Sequence, residues 1–179
     1  METRFDRDAV RALIEAAGEQ LTGEWLLVGG AVAAVWFSAD RLTEDIDLVG
    51  LGGTLSERDA LMDLAAARGL PIEAVNSAAD YFVRRIPGFR AEIEVLHAGS
   101  RATIYRPSVS LFLLLKVGRL SEKDLLDCTD LLAYARRTGL ALDPARVLGA
   151  LDALDATEDA ALAARRAELR AAVLRAYPR

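Results

Sequence analysis

Trp25-Leu26-Leu27-Val28-Gly29-Gly30-Ala31, followed after an apolar stretch to Phe37 by Arg41-Leu42-Thr43-Glu44-Asp45-Ile46-Asp47-Leu48-Val49, decides how this chain is read. A short, wholly apolar run that stops at paired glycines predicts a buried strand and a tight turn. Ala31 to Phe37 then predicts a buried helix. From Glu44 to Val49 two acids alternate with Ile46 and Leu48, the period of a strand with one polar and one apolar face. Asp45 and Asp47 are thus expected to leave one side of a strand together. Arg41 and Thr43 share that side if the strand begins early.

Outward from this stretch the chain reads as strands and helices first and helices alone afterwards. Asp6 to Gly18 carries Val10, Leu13, Ile14 and Ala17 at one-faced helical spacing, with Gly18 as its expected stop. Ser56 followed by Asp59 is expected to open a helix to about Arg68, ended by Gly69 and Pro71. Pro71 to Val75, Tyr81 to Ile86, Arg90 to Leu96 and Thr103 to Tyr105 predict strands, with Pro87-Gly88 as a hairpin turn. Helices are predicted over Ser108 to Gly118, Ser121 to Arg137, Pro144 to Leu154 and Thr157 to Ala176. The expected architecture is α/β (α+β): a mixed sheet with flanking helices over residues 1–107 and a helical C-terminal region over 108–179, packed on it as a bundle.

At 179 residues the chain is long enough to bury roughly 70% of the surface it exposes when unfolded. Cys128 is the only cysteine, so no internal disulfide can form. The charged stretch Met1 to Asp8 has no apolar signal core, and the longest apolar runs fall far short of a membrane span. The expectation is a cytoplasmic protein without a membrane partner. A net charge of −5 argues against a general nucleic-acid coat protein. The charge is uneven, since residues 84–123 hold eight Lys and Arg against three acids, or +5.

Two parallel carboxylates repel unless a cation sits between them, and Mg²⁺ takes oxygen ligands and completes its octahedron with phosphate oxygens. Among 27 acids an Asp-x-Asp is weak evidence by itself. Its position after a strand, a Gly-Gly turn and a helix start is informative, because bare glycines let a phosphate approach backbone amides at the positive helix end. His97 is a lone histidine and is read as structural. Cys128 is read as core, and Asp124 and Asp127 are helical neighbours that cap, pair with Lys123 or position a base.

The motif Leu27-Val28-Gly29-Gly30-Ala31 through Arg41-Leu42-Thr43-Glu44-Asp45-Ile46-Asp47-Leu48 resembles the signature of the polymerase-β-like nucleotidyltransferase superfamily. The likeness is to small bacterial members akin to nucleotidyltransferase toxins of abortive-infection toxin-antitoxin pairs. Lys116 and the segment Lys123-Asp124-Leu125-Leu126-Asp127 are similar to those proteins' helical lysine and K-D-x-x-D segments. The resemblance implies Asp45, Asp47 and a third acid, Glu94 with Glu92 as the alternative, as metal ligands and catalytic groups. It implies Gly29, Gly30, Arg41, Thr43 and Lys116 as nucleotide contacts. It further implies two Mg²⁺ ions, a nucleoside triphosphate, and transfer of its nucleoside monophosphate to a hydroxyl on an RNA end or a protein, with a possible cognate antitoxin. A silent nucleotide- or protein-binding module and an aminoglycoside-type, small-molecule transferase are the alternatives. Two positions depart from the pattern: Ala31 stands where many active members have Ser or Thr, and the third acid is Glu where Asp is frequent.

Overall fold

A computed structural model describes residues 4–177. The first residues of the charged N-terminal stretch lie outside that range. The chain divides into two compact units, Met1–Pro107 and Ser108–Arg179.

In the first unit, Asp6 accepts a hydrogen bond from the Ala9 amide at 2.8 Å and caps α1, Arg7–Gln20, which buries Val10, Leu13, Ile14 and Ala17. Gly18 does not stop the helix, which runs on for two residues. It serves a close approach instead: a Cβ there would lie 2.7 Å from the His97 ring and 3.0 Å from Gly99 Cα. Its carbonyl accepts from the Arg101 amide at 3.0 Å, so α1 touches a strand turn backbone to backbone.

β1, Gly23–Val28, is buried from Trp25 onward because it lies inside the sheet, and α2, Gly29–Trp36, follows at once. β2 spans Ile46–Gly50. The helix α3, Leu55–Ala67, starts earlier than Ser56 suggests, since the Glu57 carboxylate accepts from the Thr54 amide at 2.8 Å and the Gly52 amide at 2.9 Å. A single 3₁₀ turn, Ile72–Ala74, occupies most of the strand expected after Pro71, leaving β3 as Val75–Asn76.

The expected strand at Tyr81 to Ile86 is a helix, α4, Asp80–Arg84. Aromatic and β-branched residues suggested a strand, but Asp80 pairs with Arg84 one turn later at 2.8 Å, and Val83 is the element's buried residue. Pro87-Gly88 is accordingly no hairpin turn: Gly88, at φ 74°, leads into a 3₁₀ turn over Phe89–Glu92. β4, Ile93–Ala98, and β5, Ala102–Pro107, then form the hairpin. The sheet is mixed, in the order β3-β2-β1-β5-β4, with β1 antiparallel to β2 and parallel to β5. It is an α+β fold with helices flanking the sheet.

In the second unit, Ser108 caps α5, Val109–Val117, and Ser121 caps α6, Glu122–Thr138, which Gly139 ends at φ 73°. Asp143 and Asp159 cap α7, Pro144–Asp152, and α8, Ala160–Ala176. Here α6 packs on α5 and α8, and α7 on the same two.

Candidate nucleotide site

Val28, the last residue of β1, stands opposite Asp47 of β2, so the start of α2 meets the acidic strand at one end of the sheet. Gly29 enters α2 at φ 72°, a conformation that favours glycine. A Cβ there would stand 3.0 Å from Asp47 Oδ2. At Gly30 a Cβ would meet Thr43 Oγ1 at 2.8 Å and Arg41 Nη2 at 3.2 Å. The paired glycines therefore admit a carboxylate, a hydroxyl and a guanidinium to the first turn of α2, where amides lack intrahelical partners and the helix end is positive.

The four alternating residues do not lie on one strand. β2 begins only at Ile46, and a bend at Glu44 separates it from Thr43, which bridges to Phe5. Thr43 is buried and its hydroxyl donates to the Asp45 carbonyl at 2.9 Å, fixing the bend. Arg41 and Thr43 reach Gly30 through that bend. Asp45 stands exposed just before the strand, and Asp47 is half-buried within it.

The structure turns Glu94 away from this pair. Cross-strand partners share a face and successive residues alternate. Asp47 pairs with Val28, and Leu26, on the same face, pairs with Tyr105. Arg106 and its partner Glu94 therefore lie on the other face. There Arg106 Nη2 binds Glu94 Oε2 at 2.6 Å, with its guanidinium carbon 3.9 Å from the centre of the Trp36 ring. Three strand spacings, about 14 Å, also separate β2 from β4. Glu92 falls in the 3₁₀ turn before β4, half-buried. Among the described residues no three His, Cys, Asp or Glu side chains gather as a metal-holding group. The Asp47 carboxylate, at the start of α2, offers oxygen donors of the kind a divalent ion takes alongside phosphate and water oxygens, as does the exposed Asp45 two residues earlier; Glu94, on the other face of the sheet, does not join Asp47.

Lys116, expected to contact phosphate, is buried within the second unit. Its Nζ lies 2.6 Å from Asp124 Oδ1 and 3.2 Å from Asp127 Oδ2, both acids being buried. Asp124 also accepts from Arg119 Nε at 2.9 Å and Nη2 at 3.0 Å, and from the Ser121 amide at 3.0 Å and hydroxyl at 2.8 Å. Burial opposes ionisation of Asp124, yet the bonds from Arg119, Lys116 and Ser121 outweigh it and hold the carboxyl well below the usual range. The K-D-x-x-D segment thus supplies counter-charges to Lys116, and Asp124 closes the capping box of α6. Burial pushes the Cys128 thiol up, as befits a core residue.

No family model, curated protein or solved structure matches the chain. The superfamily resemblance accordingly stands on the motif residues alone. The basic excess of residues 84–123 is largely consumed within the fold. Arg84 donates to the Gly50 carbonyl, Arg90 to the Leu51 carbonyl, Arg106 to Glu94, and Lys116 and Arg119 to Asp124. Sequence reading missed Asn76, which stands beside Asp47 in parallel register. A two-residue strand has no period by which to find it. Among the described residues, no helix is long and apolar enough to cross a membrane.

Proposed function

We propose that the sheet end formed by Gly29, Gly30, Asp45 and Asp47 binds a Mg²⁺–nucleoside triphosphate and that the protein transfers the nucleoside monophosphate to a hydroxyl acceptor. The observation that carries this reading is the meeting of the Asp47 carboxylate with the glycine-opened start of α2. Triphosphate oxygens would lie on the first-turn amides of α2, with Arg41 beside Gly30 as their cationic contact. Asp45 and Asp47 would hold the metal, which when bound neutralises charge developing around the α-phosphorus. The acceptor oxygen bonds to that phosphorus as its bond to pyrophosphate breaks, and the acceptor proton passes to water. Thr43, tied to the Asp45 carbonyl, would hold the bend that carries Asp45.

A second reading, a nucleotide-binding module without turnover, is favoured by one observation: Glu94 faces away from the aspartates, leaving proton removal without that carboxylate. Incubation with each α-labelled ribonucleoside triphosphate, Mg²⁺ and cell extract separates the two. Label appearing on RNA or protein, and lost in Asp47→Asn, supports transfer; nucleotide binding without labelled product supports the module. A cognate antitoxin would be sought by co-purification with the full chain.

A further inference from the structure

Along the β3 edge of the sheet lies an open groove of about 650 Å³, lined by residues that include Arg58 of α3, Asn76 of β3, Asp80, Tyr81 and Arg84 of α4, and Arg85. We propose that this groove binds a single-stranded polynucleotide, with phosphates on Arg58 and Arg85 and a base stacked against Tyr81, and that it leads the strand toward Asp47. Only the last part rests on the transferase reading above.

The groove carries three arginines against one acid, or +2, on a chain whose net charge is −5. Asp80 takes Arg84 Nε at 2.8 Å, and Arg84 also donates to the Gly50 carbonyl at 2.8 Å, so Arg84 is a strut. Arg58 and Arg85, both exposed, remain as the cations for a ligand. Arg85 donates to the Tyr81 hydroxyl, and its guanidinium carbon lies 5.2 Å from the ring centre. Tyr81 and Phe82 are each 61% exposed and meet edge to face at 5.5 Å. They add nothing to the core of α4, which is held by Val83.

An open aromatic ring beside guanidinium groups is the combination that binds unpaired bases and their backbone, because every base has a stacking face and every linkage a charge. A duplex hides those faces, so the strand is single. Asn76 is the cross-strand neighbour of Asp47, about 5 Å away in the sheet. The groove therefore opens one strand from the proposed metal site, close enough to present a terminal hydroxyl there.

The test is fluorescence anisotropy of a short, labelled, unpaired oligoribonucleotide with the full chain in EDTA, so that the nucleotide site plays no part. Wild type is expected to bind it more tightly than the same sequence as a duplex. Arg58→Ala with Arg85→Ala should reduce the slope of log affinity against log salt by about 1.4, two phosphate contacts at about 0.7 each. Tyr81→Leu should weaken binding about 5- to 150-fold. All three residues are exposed, and a melting curve for each variant checks the fold. Asp47→Asn should bind as wild type here, and a protein that binds the strand but transfers no nucleotide would refute the transferase reading while leaving the groove intact. Absence of binding, equal affinity for duplex, or groove variants that bind like wild type overturns the proposal.

Discussion

Replacing Lys116 by Met keeps the length of the side chain and removes its charge, leaving the buried carboxylates of Asp124 and Asp127 without the ammonium 2.6 and 3.2 Å away. Breaking a buried pair on one side costs about 3–5 kcal/mol. Asp124 keeps Arg119 and both groups of Ser121, which argues for the lower end of that range. The Arg119 side chain is mostly exposed, so its attraction is screened and does not replace the lysine. For a chain of this size each kcal/mol moves Tm by about 2–4 °C, so Lys116→Met should lower it by about 6–12 °C. Calorimetry at pH 7 measures this, and the double variant Lys116→Met/Asp127→Asn should recover part of the loss because one stranded charge is gone. A Tm within about 2 °C of wild type, together with lost nucleotide binding, would refute the structural role and restore Lys116 as a phosphate contact.

The Asp124 carboxyl ionises more readily in the folded state than in the unfolded one, so its contribution is present above the unfolded pKa and fades as pH falls through the lower folded value. Urea midpoints should therefore drop from pH 5 to pH 2.5 in wild type, and by less in Asp124→Asn. Gly30→Ala should push Thr43 and Arg41 off the start of α2 and weaken nucleotide binding in titration calorimetry while the sheet persists, as circular dichroism would report. Gly18→Ala presses a methyl into the His97 ring and should cost about 1–3 kcal/mol in urea unfolding without touching the nucleotide site. Glu94→Gln should leave any transfer rate within about twofold of wild type, because an effect below 0.5 kcal/mol is usual for an exposed residue away from the site.

The parts of this fold visible in the sequence were those with a strong local period or cap. Trp25 to Val28 is apolar throughout because β1 is buried in mid-sheet, and Ser108, Ser121 and Pro144 mark helix starts that the structure keeps. The place of Gly29-Gly30 at the end of a buried strand was legible, since glycines there have a steric cause, but the expected turn is the first turn of α2 itself, which begins at Gly29 and not at Ala31. Tyr81 to Ile86 was not legible: side-chain preference favoured a strand, and the Asp80–Arg84 pair that favours a helix is a weaker signal. The side on which Glu94 emerges depends on the register of β4 against β5 and of β5 against β1, which local spacing does not encode. The resemblance alone made Lys116 a phosphate contact, and the acids that hold its charge lie on the next helix, where local spacing does not reveal the pairing.

The most direct test of the account is titration calorimetry of each of the four ribonucleoside triphosphates into wild type and Asp47→Asn, with Mg²⁺ and with EDTA. At least one triphosphate should bind wild type only when Mg²⁺ is present, and Asp47→Asn should weaken that binding tenfold or more, about 1.4 kcal/mol, while its Tm stays at or above that of wild type because a repelling carboxylate is gone. Equal binding by Asp47→Asn, or a fall in its Tm of many degrees, would contradict the assignment of this sheet end as a metal–nucleotide site.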